Sequence, residues 1–306
     1  MLFITALFAA SFLCVFADDD VVYQKDPDDA VALLREAMKQ RKGEVTVGVI
    51  GSTNEDGLKK VIGTMLDLAT QHTGKPDEGD YINFQYASYK GEAYTTHSGV
   101  EPAVEVKFDF TYYDTAEQEA EVDAKIAEAL TALDLERKTD YEKVVAIHDY
   151  ILRHTKYDPA DDGEDIKRTA YGALVERRAV CQGYCVAFYR MLLEAGIDNR
   201  VIFGEGVGID GKTASHTWNI VELYGEYYYV DITWDDIGGK RDYFLIPAGA
   251  GFEDEHIAEK DFGDDFFTDK YKMATDAFRG DLMGSVDKIR WAAEDTGSAI
   301  VSRLQK

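Results

Sequence analysis

RRAVCQGYCVAFYRMLLEAG, Arg177 to Gly196, holds two of the three cysteines of the chain at the head of a strongly apolar run. Val186, Phe188, Met191, Leu192 and Leu193 make a helix that is apolar over most of its girth, which is the pattern of a buried helix. Gly196 ends it. Cys181 falls in the first turn and Cys185 one turn further in. Cysteines at i and i+4 run along one helix face and form a disulfide poorly. Zinc needs more ligands, and the chain has neither a CxxC pair nor an HExxH. No metal or cofactor is therefore expected. A thiol at a helix N-terminus meets free backbone N–H groups and the positive end of the dipole, which favour the thiolate. The same N–H groups can hold the oxyanion of an acyl-transfer intermediate. A thiol inside an apolar helix behaves as a small hydrophobe. Cys185 is thus a core residue, while the residues alone leave Cys181 open between a buried structural thiol and a nucleophile.

A nucleophilic cysteine needs a base within reach and a group that orients the base. Of six histidines, His72, His97, His148 and His154 fall on helices or loops with no attached signature, and His256 follows an acidic segment. His216 opens the strand HTWNIVEL within SHTWNIVELYGEYYYVDITWDD, which reads as a hairpin. A two-residue turn at Tyr224-Gly225 pairs Leu223 with Glu226 and sets Trp218 opposite Asp231. His216 then lies diagonal to Asp231 on the same face. A slip of one residue would move the aspartate to the other face. The spacing is compatible with an Asp–His pair, and equally with an ordinary strand carrying an edge histidine.

Upstream, Asp26 caps and Pro27 opens a helix that is expected to run to Lys42 and stop at Gly43. EVTVGVIGS reads as a buried strand, and Ser52 or Asn54 caps a second helix to His72. YINFQYASYKGEAY and AVEVKFDFTYY alternate as half-buried strands do. Thr115 with Gln118, and Thr139 with Glu142, form capping boxes. The second helix, DYEKVVAIHDYILRHTKYD, sets Val144, Ile147, Tyr150 and Ile151 on one face. A helix is expected from Tyr171, then a strand over Asn199 to Gly206. The acidic loop Asp158 to Asp165 fails the calcium-loop pattern, because Ala160 and Thr169 occupy ligand positions. The tail from Phe266 reads as helical, with Leu282, Val286, Ile289 and Ala293 on one stripe.

The 306 residues are 45% hydrophobic, enough for a large core in one or two domains. Acidic residues number 58 against 33 basic ones, a formal charge of -25. Such a surface repels phosphate backbones, so nucleic acid is an unsuitable partner. The opening MLFITALFAASFLCVFA is apolar and uncharged, and Asp18, Asp19 and Asp20 follow it. It reads as a secretory signal cleaved after Ala17, with Cys14 in its apolar region, although the usual positive start is missing. An uncleaved anchor is the alternative. No other stretch is long and apolar enough to span a membrane. The expected product is secreted or held at the cell surface.

TAYGALVERRAVCQGYCVAFYRMLLEAGI, then SHTWNIVELYGEYYYVDITWDD, then DYFLI, resemble the transglutaminase-like superfamily of the bacterial secreted kind. The upstream DYEKVVAIHDYILRHTKYD resembles the helix before that family's core. The resemblance implies an α+β fold: a papain-like core in which the Cys-bearing helix packs on an antiparallel sheet, with an N-terminal α+β region. Signal, N-terminal region, core and C-terminal helical segment are expected over 1–17, 18–138, 139–260 and 261–306. The resemblance also implies a triad of Cys181 as nucleophile, His216 as general base and Asp231 as the group that orients the imidazole. Tyr171, Gln182, Trp218 and Trp234 match positions that line the site. Cys185 departs from the small residue expected there. The implied chemistry is attack of a thiolate on an amide and resolution of the acyl-enzyme. Water would make the protein a protease or amidase acting on a protein, peptide or cell-wall peptide. An amine would make it a cross-linking transglutaminase, and a binding module that keeps the fold is the third alternative.

Overall fold

The computed structural model describes residues 21–160, 162–262 and 265–279. The signal segment, Cys14 and the stripe from Leu282 to Ala293 lie outside them. Among the described residues no helix is long and apolar enough to cross a membrane.

The first part is a four-stranded sheet under helices. Strand β1 (Tyr23–Gln24) is followed by helix α1 (Pro27–Lys39), β2 (Glu44–Ile50), α2 (Glu55–Ala69), the short α3 (Asp80–Asn83), β3 (Tyr86–Ser98) and β4 (Glu101–Tyr112). The sheet order is β1-β2-β4-β3. Asp26 caps α1 by accepting from the N–H of Asp28 at 3.0 Å, and Asn54 caps α2 by accepting from Gly57 at 2.9 Å. Helix α1 stops short of the expected Lys42, because Arg41 takes the left-handed backbone conformation (φ 54°) that ends a helix. Strand β2 is half-buried rather than fully buried: Val47 and Gly48 are enclosed, and its ends are open. Tyr81 to Asn83, expected in a strand, form a helical turn with Asp80 instead. Leu34, Met38, Val47, Val106 and Phe108 form the core between α1, α2 and the sheet.

The second part begins with α4 (Ala116–Leu133) and α5 (Asp140–His154), each opened by its complete capping box. Strand β5 (Lys156–Tyr157), a 3-10 turn at Asp165–Arg168, a π turn at Gly172–Glu176 and β6 (Arg178–Ala179) lead to α6 (Cys181–Glu194). The helix expected from Tyr171 is therefore broken. Arg177 turns left-handed (φ 65°), and β6 pairs with β5 before α6 starts at Cys181. Next come β7 (Asn199–Val207), β8 (Thr213–Leu223), β9 (Glu226–Val230), α7 (Ile232–Gly238), β10 (Phe244–Ile246), α8 (Phe252–Glu255) and β11 (His256–Ala258). The sheet order is β10-β9-β8-β7-β11, antiparallel throughout.

Every residue of α6 from Gly183 to Leu193 is buried. One surface of the helix meets α4 and α5 through Val122, Ile126, Val144 and Ile147. The other meets the sheet through Val201, Val221 and Val230. This encasement is what the apolar girth of the helix requires. The fold is α+β, with the Cys-bearing helix packed on an antiparallel sheet. The far face of that sheet carries a smaller core of Ile202, Trp218, Ile220, Phe252 and Tyr271.

Candidate active site

The site starts from the first turn of α6. The chain enters it through Val180, whose N–H bonds the Lys167 carbonyl at 3.0 Å. Gly183 lets that turn press on the 3-10 segment, since a Cβ there would stand 2.4 Å from the Lys167 carbonyl oxygen. The first intrahelical bond runs from the Tyr184 N–H to the Val180 carbonyl at 3.3 Å. Ahead of it lie the N–H groups that a helix start leaves without helical partners. Cys181 is a free, half-buried thiol at this end. Burial pushes its pKa up, but the hydrogen bond and charge of His216 outweigh that, with contacts from Thr217 adding, so the net shift is downward. Cys185 is fully buried, and burial holds its thiol far above the ordinary value. The two cysteines part: His216 and Thr217 lower the thiol of Cys181, and burial raises that of Cys185.

The hairpin supplies the partners. Tyr224 and Gly225 both take positive φ (57° and 91°), and Leu223 pairs with Glu226 and Asn219 with Val230. One step on, Asp231 ends up on the face that carries His216. The His216 Nε2 and Asp231 Oδ2 atoms are 2.6 Å apart. Since Nε2 serves Asp231, Nδ1 is the ring atom left for the Cys181 sulfur. The run ITWDD, read as the end of a strand, opens helix α7 instead. Asp231 is its cap: Oδ1 accepts from the Thr233 and Trp234 N–H groups, both at 3.0 Å. The helix start thereby fixes the carboxylate for His216.

Asp231 has no exposed surface. Burial favours its protonated form, but His216 and His256 outweigh this and keep the carboxyl below its ordinary range. His216 moves the other way. Burial opposes its charge, yet the bonds and charges of Asp231 and Cys181 push its pKa up to about 10. The mutual shifts of thiol and imidazole favour a thiolate–imidazolium pair. Trp234 stacks on His216, with centroids 5.1 Å apart and planes at 23°.

His256 is the residue that sequence reasoning passed over. Its Nε2 lies 2.9 Å from the same Asp231 Oδ2, and its Nδ1 lies 3.1 Å from the Phe252 carbonyl oxygen. It comes from β11, on the far side of β7. Between β8 and β11, strand β7 carries glycine at 204 and 206. A Cβ on Gly206 would stand 3.0 Å from Trp234 and 3.2 Å from His216. A Cβ on Gly204 would stand 2.1 Å from the Ile257 carbonyl oxygen and 2.9 Å from Trp218. By ligand type, His216, Asp231 and His256 could also hold a metal ion. Their separations of 2.6 and 2.9 Å are those of atoms hydrogen-bonded directly to one another.

Of the expected lining residues, Trp234 covers His216. Trp218 is buried at 6.1 Å from the His216 ring and helps to wall an apolar cavity of about 200 Å³ that His256 also borders. Gln182 donates its side-chain amide to the Phe84 carbonyl at 2.7 Å and ties the first turn of α6 to the segment after α3. Tyr171 packs against the edge of the main core. Tyr157, unremarked in the sequence, stands at the site through the pairing of β5 with β6. Burial raises its pKa, and the negative charges of Cys181 and Asp231 add to the rise.

Residues 126–232 match the model of the transglutaminase-like superfamily. Two curated relatives are similar over part of the chain. The kyphoscoliosis peptidase of Mus musculus is 29% identical over 135 residues, covering 41% of this chain and 20% of that protein. Its Homo sapiens counterpart is 30% identical over 145 residues, covering 40% of this chain and 22% of that protein. The chain thus spans about a fifth of the length of these relatives. A solved structure described as a TGase superposes with a TM-score of 0.34 at 13% identity, covering 70% of this chain and 59% of that one.

Proposed function

We propose, from the premise that the chain belongs to the transglutaminase-like superfamily through residues 126–232, that it is an exported papain-like cysteine enzyme that hydrolyses amide bonds in proteins or peptides. The observation that carries this reading is the His216 imidazole held between the Asp231 carboxylate at 2.6 Å and the Cys181 thiol at a helix N-terminus. The name peptidase borne by its curated relatives favours hydrolysis over cross-linking.

The chemistry follows from the groups present. The Cys181 thiolate attacks the amide carbonyl carbon, and the carbonyl oxygen becomes an oxyanion facing the free N–H groups of the α6 start. The tetrahedral intermediate collapses as His216 gives its Nδ1 proton to the departing nitrogen. The C–N bond breaks and a thioester remains. His216, now neutral, takes a proton from water, whose oxygen attacks the thioester. Release of the acid returns the thiolate and the imidazolium. Asp231 stays ionised and keeps Nε2 protonated throughout.

Cleavage of a peptide library by the wild type and by Cys181→Ala tests the proposal. Turnover is expected in the wild type alone, and equal turnover would remove the triad as its source. Labelled amine incorporation into a glutamine-donor protein, without competing cleavage, would replace the hydrolase by a transglutaminase.

A further inference from the structure

His256 is 3% exposed, and both of its ring nitrogens face acceptors: the Asp231 carboxylate and the Phe252 carbonyl. A neutral imidazole has one N–H and can serve only one of them, whereas the doubly protonated ring serves both. The ring is held flat on Phe252 (centroids 3.7 Å apart, planes at 11°), with Trp234 at 4.3 Å and Trp218 at 5.0 Å. Its centroid lies 5.6 Å from that of His216. The titratable groups around it are Asp231 and His216, Tyr243 edge-on at 5.9 Å, and Glu253 and Tyr271, which line the cavity that His256 also borders. Counted with the proposed thiolate, the buried charges are Cys181 and Asp231 negative, His216 positive. Alone, these three leave one negative charge uncompensated in a desolvated site, an expensive arrangement.

We infer that His256 is a positioning residue of the proposed triad: it is a second imidazolium on the Asp231 carboxylate that brings the buried site to neutrality and holds Oδ2 in place for His216. The inference rests on the triad reading. Its chemical consequence is specific. A positive charge beside Asp231 eases formation of the thiolate and weakens the hold of Asp231 on the His216 proton. Without it, both groups keep their protons to higher pH.

The test needs no substrate. Iodoacetamide alkylation of the full-length protein is followed as a function of pH and read at the Cys181 peptide by mass spectrometry. The wild-type profile is expected to rise at an acid inflection, where the thiolate forms, and to change again where His216 loses its proton. His256→Gln keeps one N–H for Asp231 but carries no charge. Both inflections are expected to move up together, by about one pH unit. A purely structural role would instead loosen Asp231, so the acid inflection would rise and the alkaline one fall. Converging or unmoved inflections therefore overturn the inference while leaving the triad intact. A wild-type profile of a free thiol, rising only near about pH 8 to 9, removes the triad and the inference with it. A long-range proton–nitrogen NMR spectrum of the wild type at about pH 6 reads the ring directly and is independent of how the variant folds. Two protonated ring nitrogens are expected at His256, and a singly protonated ring overturns the assignment.

Discussion

Four donors converge on the Asp231 carboxylate: two imidazoles and two backbone amides. Asp231→Asn keeps the shape but turns an NH₂ toward groups that are themselves donors. Turnover is expected to fall by about 10⁴-fold, the scale seen when a triad carboxylate is neutralised. The alkylation midpoint of Cys181 should climb to about pH 8 to 9. Stability carries a second signature. The fold raises the pKa of His216 from 6.5 to about 10, so it favours the imidazolium. That contribution is complete below the ordinary value and is lost as the pH rises through the folded value. The depressed thiol of Cys181 contributes with the opposite sign and offsets part of that slope in the wild type. In Cys181→Ala the offset is gone, and the Asp231 carboxylate is the partner that remains to favour the charge. The urea midpoint of Cys181→Ala should then fall with pH from near 6.5 upward, and that of Cys181→Ala with His216→Gln should not. Equal slopes in the two proteins would show that the fold does not favour the His216 charge.

At the scale of elements, what was legible in the sequence is what local geometry dictates. The helix start at Cys181 follows from an apolar run and the physics of helix ends. The approach of His216 to Asp231 follows from a hairpin whose register a two-residue turn fixes. His256 was illegible because its place depends on β11 pairing with β7, some fifty residues upstream, and no local pattern encodes that contact. The nature of DITWDD was hidden for a related reason. An aspartate at a strand end and one at a helix cap look alike in sequence, and only Thr233 and Trp234 turning toward it separate them. The strand pair that delivers His256 makes its own prediction. Gly204→Ala puts a methyl group against the backbone of β11, where no side chain can yield, and should cost about 1 to 3 kcal/mol in urea unfolding. If β11 moves away to make room, His256 goes with it, and the alkylation profile of Cys181 should change as it does in His256→Gln. Gly206→Ala meets side chains of Trp234 and His216 instead. Its stability loss should be smaller, with the larger effect on turnover.

The whole molecule has two main hydrophobic cores, one under the N-terminal sheet and one around α6. Apolar periodicity accounts for each core; at the join, where Tyr81 and Phe84 pack on the second core, charged pairs also cross, and such pairings leave no periodic trace in a sequence. Asp80, at the start of α3, takes both the Nε and Nη2 of Arg200 at 2.7 and 2.8 Å and the N–H of Val201 at 2.9 Å. His72 reaches Tyr189 and Asp198 at 2.8 Å each. Arg41 pairs with Asp114 and Glu119, and Glu119 also takes Arg190 of α6. A buried ion pair contributes less than it costs to break, because removing one partner strands the other charge away from water. Asp80→Ala should therefore destabilise the protein by about 3 to 5 kcal/mol. Replacing both partners, as in Asp80→Leu with Arg200→Leu, should recover much of that loss, since neither charge is left alone. Urea unfolding followed by far-UV circular dichroism and by tryptophan fluorescence checks both variants. Two of the three tryptophans, Trp218 and Trp234, lie in the second part, and Trp291 lies outside the described residues. In the wild type the two signals should coincide, because the ionic join makes the cores unfold as one. In Asp80→Ala the circular dichroism, which sees both parts, should run ahead of the fluorescence. Coincident signals at an unchanged midpoint would mean that the join holds the two cores by something other than these charges.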